Sequence, residues 1–90
     1  MDDIRIYARC PDVIEREVDG EAVLLDLKTG IYYSLNEVGS EVWKLIDGKR
    51  SVREVAQWVV ENYEIDRLTA EKDVKELLED LLKEKLIAAV

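Results

Sequence analysis

The stretch Val23-Leu24-Leu25-Asp26-Leu27-Lys28-Thr29-Gly30-Ile31-Tyr32-Tyr33-Ser34-Leu35-Asn36 limits what this chain can fold into more than any other part of it. Two short apolar runs flank Lys28-Thr29-Gly30, which predicts two strands joined by a tight, glycine-assisted hairpin. Asn36 stands just before a helical pattern, where its side chain can accept from the free amides of the first turn. A strand over residues 31–35 therefore leads straight into a helix. No later segment has a pattern suited to covering that strand, so its outer edge is expected to stay open to another chain. Alternation places Ile31, Tyr33 and Leu35 on one face, against the helices, and Tyr32 and Ser34 on the other.

Upstream, residues 1–11 read as a short extra strand, with Ile4 and Ile6 in alternation, or as a flexible N-terminus. Cys10-Pro11-Asp12 ends it, because proline fixes its own φ and biases the residue before it away from helix. Residues 13–18 form a strand closed by the turn dipeptide Asp19-Gly20, and residues 21–27 form the next. With residues 31–35 they make a three-stranded antiparallel meander.

Downstream, residues 37–46 predict a helix burying Val38, Val42, Leu45 and Ile46, with Trp43 adjoining the stripe. Gly39 costs that helix about 1 kcal/mol relative to alanine, a choice that a close approach to the sheet explains. Asp47-Gly48-Lys49-Arg50 reads as the helix stop, with glycine suited to a left-handed cap. Ser51-Val52-Arg53-Glu54 is a capping box for a second helix reaching residue 62, with Val52, Val55, Ala56, Val59 and Val60 inward. Trp58 lies off that stripe, as a lid or as an exposed contact. Thr69 is expected to cap a third helix over residues 70–85, whose apolar stripe is Val74, Leu77, Leu78, Leu81 and Leu82. Residues 86–90 form an apolar tail expected to pack back across the helices. Three strands followed by three helices describe one α+β domain over residues 1–90, winged-helix-like in order.

Composition narrows the function. Hydrophobic residues make up 48 % and charged ones 38 %, so a compact core sits beneath a heavily charged surface. The net charge is −8, from 21 acids against 13 bases, which disfavours phosphate backbones and anionic membranes. The third helix alone carries six acids against four bases, the reverse of a DNA reader's footprint. No histidine is present, which removes Ser-His-Asp and Cys-His chemistry and imidazole metal ligands. Glycines 20, 30, 39 and 48 are too widely spaced for a phosphate loop. The one cysteine, Cys10, allows no internal disulfide and fits a reducing compartment. No apolar run approaches the roughly 20 residues of a membrane helix, and Met1-Asp2-Asp3 has the wrong charge for a signal peptide. The expectation is a soluble, cytoplasmic binding module, not an enzyme, with no cofactor and with neither nucleic acid nor membrane as partner.

The ordered series Val23-Leu24-Leu25-Asp26, Thr29-Gly30-Ile31-Tyr32-Tyr33-Ser34-Leu35-Asn36, Gly39, Val42-Trp43, Leu45-Ile46-Asp47-Gly48, Ser51-Val52-Arg53-Glu54 and Asp73-Val74 with Leu77, Leu78 and Leu81 resembles the PqqD-like domains. These are also called precursor-recognition elements of ribosomal peptide (RiPP) biosynthesis, and the resemblance spans residues 13–90. The short free-standing form looks like the stand-alone leader-binding protein of lasso-peptide systems. One departure stands out: many relatives close the third helix with a glycine, where this chain has Lys85, which leaves the placement of Leu86 and Ile87 open.

The resemblance implies that the leader of a precursor peptide adds as an antiparallel strand along Ile31, Tyr32, Tyr33, Ser34 and Leu35, in a groove beside the third helix. Pocket walls are then expected from Tyr33, Val74, Leu77, Leu78 and Leu81, each leucine being either pocket or plain core, and a rim from Tyr32 and Ser34; Asp73 and Lys75 either pair with charges on the leader or are solvated. The resemblance implies, as partners, a leader peptidase of the cysteine-protease type and, further, the lasso cyclase. The alternatives are a PqqD-type chaperone presenting a precursor to a radical-SAM enzyme, and an acidic winged helix serving as a structural adaptor or dimer.

Overall fold

A computed structural model describes residues 3–90. Among them the order is β1 (Ile6–Arg9), β2 (Val13–Val18), β3 (Glu21–Asp26), β4 (Tyr32–Ser34), α1 (Glu37–Leu45), β5 (Asp47–Ser51), α2 (Val52–Asn62), α3 (Arg67–Lys83) and β6 (Ile87–Ala89). The strands form two three-stranded antiparallel sheets, ordered β2-β3-β4 and β5-β1-β6.

The first sheet is the expected meander. Asp19 and Gly20 take φ of 53° and 81°, the left-handed pair that a two-residue type I′ hairpin requires. The β3–β4 connection is longer. There the Gly30 N–H donates to the Asp26 carbonyl at 2.8 Å, and the buried Asp26 carboxylate accepts from the Lys28 N–H at 2.9 Å. The β4 element is shorter than expected, but its ladder with β3 runs past both ends. Asp26 N–H donates to the Ile31 carbonyl at 3.0 Å, and Leu35 N–H to the Ala22 carbonyl at 2.9 Å.

The α+β class is as expected; the second sheet is an addition to it, and it makes winged-helix-like only a loose description. Asp47-Gly48-Lys49-Arg50, expected merely to stop the first helix, belongs to β5, and the tail expected to lie across the helices contains β6. Both pair with β1, Ile6 opposite Ser51 and Tyr7 opposite Ala89. A glycine-bearing charged pentapeptide and a three-residue strand have no local strand pattern. Their hydrogen bonds come from a partner far away in sequence. The N-terminal segment is thus a strand, but it buries Tyr7 and leaves Ile4 exposed. Met1 and Asp2 of that segment lie outside the described residues.

The helices follow their caps. Asn36 Oδ1 accepts from the Gly39 N–H at 2.7 Å. A Cβ on Gly39 would sit 3.1 Å from that same oxygen and 3.4 Å from Leu35 Cβ. The close approach is therefore to the cap and the end of the strand. The expected capping box of α2 is present, with Ser51 Oγ accepting from Glu54 N–H and Glu54 Oε1 from Ser51 N–H. In α3 the cap is Asp66, not Thr69, and Thr69 donates to it through both its N–H and its hydroxyl. Both residue types cap well, and Leu68 between them is exposed, so no apolar period marks the start.

One cluster of buried side chains runs from Tyr7 through Ala22 and Leu24, the three helices, and Leu86 and Ile87. Trp43 belongs to it at 2 % exposure. Each fully buried aliphatic or aromatic side chain of this kind contributes about 1.5–3 kcal/mol. Trp58 packs half-buried on this core, edge-on to Tyr63 with ring centroids 6.0 Å apart, in the lid role. Among the described residues no helix is long and apolar enough to cross a membrane.

Candidate functional site

The free edge of β4 is the starting point. Ile31, Tyr33 and Leu35 lie opposite Asp26, Leu24 and Ala22, and hydrogen bonds at both ends of this run point to β3. Backbone groups alternate in direction along an antiparallel strand. Tyr32 and Ser34 therefore turn their N–H and C=O groups outward, away from β3. Side chains alternate as well. Tyr33 is half-buried and Leu35 buried on the inner face, while Tyr32 on the outer face is 68 % exposed. Ile31 sits at the end of the inner row and is itself exposed.

The edge leads into α1 through a buried hydroxyl. Ser40 Oγ accepts from the Ala22 N–H at 2.6 Å and donates to the Asn36 carbonyl at 2.8 Å, with the Leu35 carbonyl at 3.3 Å. This hydroxyl takes the place of the second bond of the Ala22–Leu35 pair, between the Ala22 N–H and the Leu35 carbonyl. It fixes the end of β4 to the first turn of α1. The sequence gives no hint of this role, since a serine inside a helix is ordinarily a solvated residue.

Between that corner and α3 lies a groove of about 420 Å³, within the roughly 300–1,000 Å³ typical of small-ligand sites. Ser34, Leu35 and Asn36 form one wall, and Asp73, Val74, Glu76, Leu77 and Asp80 form the other. Val38, Gly39 and Val42 of α1, Val59 of α2 and Ile65 complete it. Helical spacing explains the α3 wall. Ala70, Val74, Leu78 and Leu81 form the stripe buried in the core, and the neighbouring face, with Leu77 half-buried, turns to the groove. Outside the groove lining, one turn beyond Asp80, the Tyr33 hydroxyl donates to Glu84 Oε2 at 3.0 Å. Burial first, and then the Glu84 carboxylate, hold the Tyr33 phenol above its ordinary pKa.

Of the residues singled out from sequence, the groove brings together Ser34, Leu35, Asp73, Val74 and Leu77. Tyr32 lies along the open edge with Ile31 beside it, and Tyr33 bonds Glu84; none of these three lines the groove itself. Leu78 and Leu81, at 4 % exposure each, are core residues, with Leu78 beside Tyr7, Ile46, Val52 and Val55. Lys75 is on another side of α3, with Asp3, Val52, Arg53 and Glu71. The lining residues Val38, Gly39, Val42, Val59, Ile65, Glu76 and Asp80 were not singled out as site residues. They come from elements far apart in sequence, and only Glu76 and Asp80, at i+3 and i+7 from Asp73, could have been read as sharing its face. Among the described residues no group of three His, Cys, Asp or Glu side chains is placed to hold a metal ion.

No curated protein matches this sequence. Two solved structures resemble the chain throughout. TbiB1, solved in complex with the TbiA(beta) leader peptide, is 32 % identical over 89 % of this chain and 93 % of its own, with a TM-score of 0.81. A lasso peptide synthetase B1 complexed with the leader peptide is 30 % identical over 93 % of this chain and 96 % of its own, with a TM-score of 0.78. The family model for coenzyme PQQ synthesis protein D matches residues 21–87, from the start of β3 into β6. The chain belongs to the PqqD family.

Proposed function

We propose that this chain is a non-catalytic module that captures the leader of a ribosomal precursor peptide and delivers it to the leader peptidase of a lasso-peptide pathway. The observation that carries this reading is the open β4 edge beside a groove of mixed apolar and acidic lining, in a chain with at least 30 % identity to two proteins solved with leader peptides. The leader adds as an antiparallel strand. Its main chain pairs with the outward groups of Tyr32 and Ser34, and its side chains enter the groove, so backbone pairing gives affinity and the pockets give selectivity. Tethering the core peptide in this way raises its effective concentration at the enzyme. The leader orders on binding, which moderates the affinity for the area buried. A chaperone presenting a precursor to a radical-SAM enzyme would use the same groove; the family match alone favours it, whereas the similarity to a lasso peptide synthetase B1 favours the lasso reading.

The test is a fluorescence titration with the labelled leader of the precursor encoded beside this chain's gene. The expected Kd is on the order of 10 μM or tighter. Ser34→Pro removes an outward N–H and none that β3 uses, so it should weaken binding while circular dichroism stays unchanged. Absence of binding to the wild-type protein, or equal binding by the proline variant, would sink the reading. Adding either purified enzyme, the peptidase or the radical-SAM protein, to the leader complex decides the pathway.

A further inference from the structure

The floor and the rim of the groove differ in chemistry. Half-buried Val38, Ile65 and Leu77, over buried Val42, Val59 and Val74, supply its apolar surface, while Asp73, Glu76 and Asp80 stand along its α3 side, and no lysine or arginine lines it. Among the described residues these three carboxylates form no ion pair, although Asp3, Asp12, Glu17, Glu41, Asp47 and Glu71 each do. Their spacings of i+3 and i+4 set like charges side by side on one helix face, which destabilises the helix of the free protein. A cation arriving in the groove relieves that repulsion. The carboxylates are not placed as a metal-ion cluster, so the cation has to be carried by something that also fills an apolar floor.

We infer that the groove selects an extended peptide segment in which lysine or arginine is interleaved with apolar residues, the cation facing Asp73, Glu76 and Asp80. The inference rests on the leader-binding reading and adds the chemistry of the segment bound. Lysine and arginine suit the groove because their methylene stems lie on apolar surface while the charged head reaches the rim. The lengths agree. Asp73 and Asp80 lie roughly 10 Å apart along the axis of α3. That is about three residues of strand, within which one or two alternate side chains face the same way. A chain of net charge −8 also draws a basic segment towards it.

The experiment selects short random displayed peptides for binding to the wild-type protein. It then compares the winners on wild type, on the neutralised variant Asp73→Asn/Glu76→Gln/Asp80→Asn, and on Ser34→Pro. All three acids are exposed, so the neutralised variant should keep the wild-type circular dichroism spectrum. The expected winners carry Lys or Arg at a fixed offset from apolar positions and bind the neutralised variant about tenfold more weakly. Their affinity for wild type falls with added salt more steeply than their affinity for the variant. Winners that lose binding on Ser34→Pro but show no basic preference, or bind the neutralised variant equally well, overturn the charge inference and leave the groove reading standing. Winners indifferent to Ser34→Pro, or no winners at all, overturn both.

Discussion

The Tyr33 hydroxyl and the Glu84 carboxylate, 51 residues apart in sequence, meet at 3.0 Å and tie β4 to the end of α3. The bond lies on the surface, one helical turn beyond the groove residue Asp80, and is not a pillar of the fold. Its titration is a way to see it. The folded phenol has a raised pKa, so its contribution is complete below the ordinary tyrosine value of about 10 and is lost as pH rises through the folded value. Tyr33→Phe should fold, bind leader more weakly, and lose less stability between neutral pH and alkaline pH than the wild type. Tyr63, raised by burial and then by Glu37 and Glu41, keeps part of the alkaline loss in the variant. Urea unfolding at both pH values measures this; an identical alkaline loss in the two proteins would show that the phenol is not coupled to folding.

Leu77 and Leu78 are neighbours with different fates, because one residue of helix turns a side chain by about 100°. Leu77 borders the groove, and Leu78 is in the core at 4 % exposure. Leu77→Asp should leave the circular dichroism spectrum intact and weaken leader binding about tenfold or more. Leu78→Asp buries a charge without a partner and should cost about 4 kcal/mol or more, most of the stability of a domain this small. Binding loss without unfolding at Leu78, or unfolding at Leu77, would exchange the two roles.

The sequence carried those parts of the fold that are written locally. Asp19-Gly20 announces its hairpin, Ser51 and Glu54 announce their helix, and Asn36 announces the turn from β4 into α1, because each acts through a neighbour within three residues. The second sheet is different in kind. Gly48 and its charged neighbours look like a stop, and only the approach of β1 turns them into a strand. The groove was half legible for the same reason. The edge of β4 and the face of α3 are each visible as patterns, but Val42, Val59 and Ile65 become lining only when three elements converge. The wide leucine stripe of α3 could not be divided by inspection into core and groove, since both faces need apolar residues.

Ser40 is the residue that pattern reading missed and packing exposes. Its side chain is buried, and removing the hydroxyl leaves the Ala22 amide, in a residue with no exposed surface, without an acceptor. A buried unsatisfied donor costs about 1–3 kcal/mol, and each kcal/mol lowers Tm by about 4–8 °C in a domain of this size. Ser40→Ala should therefore melt measurably lower, and hydrogen exchange at the Ala22 amide should accelerate more than at Leu24. The end of β4 then loses its tie to α1, so leader affinity should also fall. An unchanged Tm would mean that the amide finds another acceptor.

Lys85 answers the question raised by the missing glycine at the end of α3. It takes φ of 59°, the left-handed conformation a glycine would take. Its N–H bonds the Leu82 carbonyl at 3.0 Å, and the Leu86 N–H bonds the Leu81 carbonyl at 2.9 Å. That pair of bonds is the Schellman motif, and it delivers Leu86 and Ile87 into the core at 1 % and 3 % exposure. Lysine thus makes the turn at a strain of roughly 1–2 kcal/mol, part of which glycine's greater freedom in the unfolded chain would cancel. Lys85→Gly should raise stability by about 0.5–1 kcal/mol and Tm by a few degrees. Leader affinity should stay within error of wild type, because Lys85 does not line the groove. Thermal melts and the same leader titration check both halves. A lower Tm would show that the lysine side chain contributes more than its backbone strain takes away.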